Sequence, residues 1–436
     1  MQEKQNQNTL IWFRNDLRVN DNAVLNEALK ISSNIFAAYC FDPRQFEITA
    51  YGFKKTEKFR AKFLIETITD LKNNLAKLNI NLLIFHNKPE LVFPKLVEAL
   101  TINQIYLQKE WTQEETDVVE NVKKCISKDV RFFELYNQFL YHPEAIQMEI
   151  NEIPQVFTEF RKHLEKQCYI QKLIAFPKQK NTNITFDNTE IPTLIDLGFK
   201  EFEPHQNSAF PFKGGETTAL ERLKNYFFET KKLGFYKKTR NGLIGTDFSS
   251  KFSPWLANGS LSATTIYWEV KRFEQEYFKN ESTYWLIFEL IWRDYFKYIS
   301  LKHGNAIFKI GGILSKNYQW SQNEKTITTW KQGKTTESFV NANMLELNKT
   351  GWMSNRGRQN VASYFAKTLE LDWRIGAGYF ESLLIDYDVH SNYGNWMYVA
   401  GVGNDPRDRI FNVKLQAERY DAQGKYQKLW LQETLF

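Results

Sequence analysis

Gly351-Trp352-Met353-Ser354-Asn355-Arg356-Gly357-Arg358-Gln359-Asn360, then Leu371-Asp372-Trp373-Arg374, then Asp386-Tyr387-Asp388-Val389-His390-Ser391-Asn392-Tyr393-Gly394-Asn395-Trp396, pack fixed charges, amides and indoles into one short region. The spacing predicts a helix in the first segment, which sets Asn355, Arg358 and Gln359 at i, i+3 and i+4 on one face. A solvated helix needs no such ordered polar set. A buried pocket for a large polar cofactor does, because every buried amide and charge must find a partner. A polar network tying helices together explains the same residues equally well, and these residues alone do not choose.

Around this region helical periodicity dominates, from Gly215 to about Leu383, with no strand signal. The first third is different. Thr9-Leu10-Ile11-Trp12-Phe13, Ile35-Phe36-Ala37-Ala38-Tyr39, Leu82-Leu83-Ile84-Phe85, Ile105-Tyr106-Leu107 and Val130-Arg131-Phe132-Phe133 read as buried strands. Between them Phe59, Phe63, Ile68, Leu71, Leu75 and Leu78 mark one helical face, and Pro89 opens another helix at a first-turn position. Strands separated by helices imply a doubly wound parallel sheet. No G-x-G-x-x-G follows the first strand, which argues against a dinucleotide held there in the usual way. Lys178 to about Pro211 is polar, Asn/Thr-rich and punctuated by prolines, and reads as an extended connection. The expected organisation is an α/β domain over residues 1–177, a connection over 178–212 and a larger all-α domain over 213–436.

Aromatic residues make up 16% of the 436, including 12 tryptophans, more than core filling alone requires. The net charge of +6 suits a local basic rim rather than a general polyanion sponge. Cys40, Cys125 and Cys168 are far apart and odd in number, so neither a disulfide framework nor a thiolate metal site is expected. The polar start, Met1 to Asn8, is neither a signal nor a transit peptide, and no apolar run reaches membrane-spanning length. The protein reads as soluble, cytoplasmic and monomeric, and its end soon after Trp430 leaves no tail for partner recruitment.

The runs WMSNRGRQNVAS, DWR and LLIDYDVHSNYGNW resemble the flavin-binding core of the photolyase/cryptochrome family. YVAGVGNDPRDRIFN (Tyr398 to Asn412) and STYWLIFELIWRDYF (Ser282 to Phe296) narrow the resemblance to the DASH-type cryptochromes. It extends from Leu10-Ile11-Trp12-Phe13-Arg14 to Tyr426-Gln427-Lys428-Leu429-Trp430, nearly the whole chain. It implies FAD in the helical domain. The shortage of cysteines speaks against the iron–sulfur branch of the family.

Ser249-Ser250-Lys251-Phe252-Ser253-Pro254 offers hydroxyls, a cation and backbone N–H groups at a helix entrance, a suitable diphosphate cradle, although Ser-rich turns also simply cap helices. The resemblance assigns it to the flavin phosphates, with Tyr236 flanking the cofactor. It likewise implies an Arg358–Asp386 ion pair beside the isoalloxazine, with Asn355, Asp388 and Arg293 in the same pocket. Asn392 corresponds to the residue facing flavin N5, where an amide can accept from N5–H or donate to bare N5; an Asx turn is its other reading. Trp396, Trp373 and Trp320 match the family's electron relay, where core packing would account for any one of them alone.

Glu289, Trp292 and Arg293 fall at i, i+3 and i+4, so a carboxyl, an indole and a guanidinium project together. The bland alternative is a surface Glu–Arg pair of little energetic weight. By resemblance Glu289, Trp292, Gln359 and Tyr398 face a flipped pyrimidine dimer. The segment Ser354 to Gln359 carries none of the histidines that (6-4) photoproduct lyases of the family have there, so the resemblance implies cyclobutane dimers rather than (6-4) photoproducts. Glu110 matches the carboxylate that holds 5,10-methenyltetrahydrofolate as antenna. Asn20, Gln108, Asn341 and Leu345 depart from the family pattern.

The resulting expectation is light-driven repair of cyclobutane pyrimidine dimers by electron transfer from excited reduced FAD. Single-stranded DNA is the preferred partner, with looped duplex or RNA as further candidates. The alternative is a blue-light photoreceptor that binds nucleic acid and repairs little. A nicotinamide-using flavoenzyme lacks any dinucleotide fingerprint.

Overall fold

The computed structural model describes residues 7–32, 34–178 and 189–432. The first six residues, positions 179–188 of the expected connection and the last four residues lie outside the described set.

Five parallel strands form the sheet in the order β3-β2-β1-β4-β5, with β1 Asn8–Trp12, β2 Asn34–Cys40, β3 Leu82–Phe85, β4 Gln104–Gln108 and β5 Arg131–Leu135. All five lie where the apolar runs predict them, within a residue or two. Leu10, Ile11, Ala37, Ala38, Ile105 and Leu107 are essentially inaccessible, because helices cover both faces of the sheet. The helix Lys58–Ala76 buries Phe59, Phe63, Ile68, Leu71 and Leu75 on its core face. Pro89 starts the helix Pro89–Ala99, where its missing N–H costs no hydrogen bond. The strand order reverses between β1 and β4, and the carboxyl ends of strands at such a switch point are where α/β sheets bind ligands.

From Glu216 to Leu431 every regular element among the described residues is helical, beyond the Leu383 limit of the sequence periodicity. The longest helix, Glu281–His303, begins with an Asn280/Thr283 capping box and ends at Gly304. Its buried side includes Leu286, Ile287, Leu290, Ile291, Tyr295, Phe296 and Tyr298. No described helix is long and apolar enough to cross a membrane.

The connecting segment is less loose than its composition suggests: Leu194 and Leu197 pack into the sheet domain's core, and Ala209 and Phe210 into that of the helical domain. The domains are also joined directly. Glu216 accepts from Val19 N and Asn20 N, and from the Asn20 side chain at 2.8 Å, so the departure at position 20 is itself an interdomain bond. Asp294 accepts from the backbone N–H groups of Leu140 and Tyr141, and Arg293 donates to Gln138 O at 2.6 Å. At Gly259 (φ +72°) an added Cβ would stand 2.0 Å from Asn15 O, so close approach as well as conformation requires glycine.

Candidate functional site

A cavity of about 740 Å³ opens inside the helical domain. Tyr236, residues 249–253, Glu289, Trp292, Arg293, Asn355, Arg358, Gln359, Asp386, Asp388 and Tyr398 all line it, gathering motifs that are far apart in sequence.

The serine-rich turn precedes the short helix Ser253–Ala257, with Pro254 in its first turn. Arg222 donates to the Ser249 and Ser250 carbonyls at 3.2 Å and fixes the turn. Lys251 adopts φ +65°, is 2% exposed, and its Nζ is buried with no hydrogen-bond partner. Burial drives its ammonium pKa well below the ordinary value, with Glu346 pulling the other way. A strained, buried amine that rests on the Phe248 and Trp352 rings and has no hydrogen-bond acceptor fits an anionic ligand such as a diphosphate. Glu346 is buried and accepts from Tyr426 OH at 2.6 Å; burial pushes its carboxyl up to about 7 against Tyr426, Lys251 and Arg358.

Asn355, Arg358 and Gln359 share the helix Asn355–Ser363, as their spacing predicts. Arg358 Nη2 lies 2.9 Å from both oxygens of Asp386, so the expected ion pair is present. Asp388 caps the helix Val389–Ala400 through Ser391 N at 2.8 Å and accepts from Lys297 Nζ at 2.9 Å. Burial opposes its ionisation, but the Lys297 and Arg293 cations hold the carboxyl below the usual range. Asn392 is not among the residues of the cavity wall. It sits in the first turn of that helix, so it is no Asx-turn residue, and its Nδ2 donates to Ala377 O at 3.0 Å. Ser391 and Asn395 of the same helix reach the cavity.

Trp292 stacks on Phe157 at 3.6 Å and 12°, and its ring meets Tyr398 edge-on at 6.1 Å. Glu289 pairs with Arg240 rather than with Arg293, whose guanidinium is committed to the carbonyls of Gln138 and Leu256. Burial raises the Glu289 pKa and Arg240 opposes the rise.

The three relay candidates share one core. Trp396 and Trp373 are buried within it, and Trp320 packs half-buried against it. Gly376 admits Trp396, whose Cη2 would lie 2.3 Å from a Cβ added there. Trp373 donates to Ile310 O at 2.9 Å. Trp396 contacts Phe365, Phe380 and Trp330, the last a buried indole that no motif singled out.

A second cavity, of about 240 Å³, lies at the switch point, lined by Arg14 and Asn15 after β1 and by Glu110 after β4. Glu110 accepts from Asn15 at 2.9 Å and Gln108 at 3.2 Å, and its Oε2 lies 3.1 Å from Arg14 with no aligned donor. Gln108 therefore serves this carboxylate directly. Leu256, Ala257, Arg293 and Asp388 line both cavities, so one layer of side chains separates them. The other two departures lie elsewhere: Asn341 is satisfied by Thr335, and the Leu345 side chain packs near Gly333.

Sequence reasoning missed Arg240, Asn241, Arg356 and Arg409 on the large cavity and Lys297 on the wall. Arg356 stands three residues before its partner Gln359, a spacing that could have revealed it; Arg240 carries no local signal.

An α/β sheet domain packed against a helical domain with this cavity defines a photolyase-type flavoprotein. Residues 9–180 match the DNA photolyase family model, and residues 285–435 match the FAD binding domain of DNA photolyase. A cryptochrome DASH of Synechocystis sp. is 47% identical over 97% of this chain and 87% of its own length, and one of Danio rerio is 46% identical over 97% and 82%. The crystal structure of a Synechocystis sp. PCC6803 cryptochrome superposes with a TM-score of 0.93 at 45% identity, covering 98% of this chain and 89% of that one. An archaeal photolyase from Sulfolobus tokodaii, solved with two FAD molecules, gives 0.78 at 26% identity over 97% and 90%. The chain belongs to the DASH cryptochromes of the photolyase/cryptochrome family.

Proposed function

We propose that this protein repairs cyclobutane pyrimidine dimers under light, acts preferentially on single-stranded DNA, and works as a monomer. The observation that carries this reading is that Glu289, Trp292, Gln359 and Tyr398 share one cavity with the diphosphate cradle and the Arg358–Asp386 pair. Bound FAD supplies light absorption and a reversible one-electron donor. The protein's own part is placement. Trp292, backed by Phe157, presents a flat apolar wall for a pyrimidine face. Glu289 and Gln359 offer hydrogen bonds to a base edge, and the Glu289 carboxyl, whose protonated form burial favours, would donate its proton in a hydrogen bond to the negative charge that builds on the dimer. Lys251 and the hydroxyls of its turn would hold the diphosphate. The segment Ser354 to Gln359 carries no histidine to move the proton that a (6-4) lesion requires, which supports the cyclobutane reading.

The single-strand preference follows from the cost of extrusion: unpairing and unstacking take about a few kcal/mol that single strands largely avoid. Glu110, in the second cavity, is the residue we assign to a 5,10-methenyltetrahydrofolate antenna; its incompletely bonded Oε2 suits a ligand N–H.

The test is a dimer-repair assay under blue light on single-stranded and duplex substrates in parallel. Turnover on single strands supports the reading, and equal turnover on fully paired duplex overturns the preference. The buried Trp396 and Trp373 would serve a blue-light photoreceptor equally well. Flavin photoreduction without dimer turnover on either substrate selects that alternative.

A further inference from the structure

Each polar group expected to face the lesion already has an arginine on it. Arg240 Nη1 donates to Glu289 Oε1. Arg356 Nη1 donates to Gln359 Oε1 at 2.8 Å, while its Nη2 is held by Asn241 at 3.1 Å. Arg409 Nη2 reaches Tyr398 OH at 3.4 Å and is anchored by Asp405. All of these residues except Asp405 line the large cavity.

The Arg240–Glu289 pair differs from the other two because both members are charged. Paired, Arg240 is neutralised and offers little to a phosphate outside. Its side chain is only 16% exposed and that of Glu289 29%, so the pair is partly withdrawn from water. A base edge that comes to hydrogen-bond Glu289 must compete with the guanidinium for that carboxylate. Lys237, the other cation of this segment on the cavity wall, is committed to Glu281 at the surface.

We propose that the Arg240–Glu289 pair is a lock opened by the lesion: an undamaged strand meets a neutralised Arg240, whereas a seated dimer takes over Glu289 and releases Arg240 to a backbone phosphate. The proposal rests on the dimer-repair reading and adds to it a source of discrimination. The charge that grips the strand is completed only after the damaged bases have entered. Glu289 then has two tasks, holding the lesion and withholding an arginine from undamaged nucleic acid.

The experiment measures Kd by fluorescence anisotropy, in the dark, with flavin-loaded protein and labelled single strands that carry one dimer or none, over a range of salt. Each phosphate neutralised on a single strand contributes roughly 0.7 to the slope of log K against log salt. For the wild type the dimer strand should therefore show a slope steeper by about 0.7 than the undamaged strand. Glu289→Gln should steepen the undamaged slope by about the same amount and tighten undamaged binding at low salt, closing the gap. Arg240→Gln should flatten the dimer slope and leave the undamaged slope alone, while Arg240→Lys keeps the steep one. Flavin absorbance shows that each variant is folded. An undamaged slope unchanged in Glu289→Gln overturns the lock, as does an undamaged slope lowered in Arg240→Gln. Equal wild-type affinity for both strands at every salt overturns the dimer reading instead, and the two undamaged-strand arms still decide whether Glu289 restrains Arg240.

Discussion

Replacing Asp294 by alanine should destabilise the protein by about 4 kcal/mol near pH 4, where the carboxyl is neutral, because two buried donors would lose their acceptor at once. Asp294 is 0% exposed on the long helix, and its carboxylate accepts from Leu140 N at 2.9 Å and Tyr141 N at 2.8 Å. Each orphaned N–H costs ~1–3 kcal/mol, while above about pH 6, where the carboxyl is ionised, removal of a buried charge offsets part of the total. For a domain of roughly two hundred residues ~1 kcal/mol moves Tm by about 2–4 °C, so a thermal melt should fall by roughly 8–16 °C. The pH dependence supplies an independent check. Burial pushes the Asp294 carboxyl from 3.8 up to about 6, against the opposing pull of Tyr141 N–H and Arg293. The folded protein therefore binds this proton more tightly than the unfolded chain. The associated stability is complete below about pH 4 and is lost as pH rises through about 6. An Asp294→Asn variant does not titrate there, so from about pH 4 to pH 7 the wild type should lose ~3 kcal/mol relative to it. An alanine variant melting within about 2 °C of wild type would refute the account of this bond as the pin between the domains.

Three shorter expectations accompany it. Lys251→Met should lower the flavin-to-protein ratio after purification by at least about tenfold in Kd, since a charge-assisted bond to phosphate is worth ~1.5–3 kcal/mol; undiminished flavin content would remove Lys251 from the cradle. Trp396→Phe should keep flavin bound but slow its photoreduction severely, while chemically pre-reduced protein still repairs; wild-type photoreduction kinetics would show the relay to be wrongly assigned. Glu289→Ala should lower repair yield more than dimer affinity, because its carboxyl acts on charge that appears after electron transfer; equal losses would make it a simple anchor.

What the sequence revealed follows from the range over which its signals act. Runs such as Leu82-Leu83-Ile84-Phe85 and the start at Pro89 are local, set by burial on both sheet faces and by proline geometry, and the structure reproduces them. The Asn355/Arg358/Gln359 face was legible for the same reason, since helical spacing alone brings those side chains together. Trp330 against Trp396 and Arg240 on Glu289 were not legible, because each pairs residues from helices tens of positions apart, and nothing local marks which face meets which. Asn392 shows the limit of a matched motif. The residue stands at the expected position, and its Nδ2 donates to Ala377 O, a carbonyl of the neighbouring helix that no motif includes. The connection misled in the other direction: its polar composition hid Leu194, Leu197 and Phe210, isolated apolar residues that anchor it to both cores.

The thin partition between the two cavities has a thermodynamic consequence. Arg293 and Asp388 belong to both linings, and Lys297 holds Asp388 from the side of the smaller one. Occupants on opposite sides of such a wall are not independent guests. Whatever factor one imposes on the other's affinity through these shared charges, the second must return to the first. Were the smaller cavity to take the proposed antenna, its removal would alter the flavin affinity by that same factor, and the order in which the two are loaded could not change the final balance.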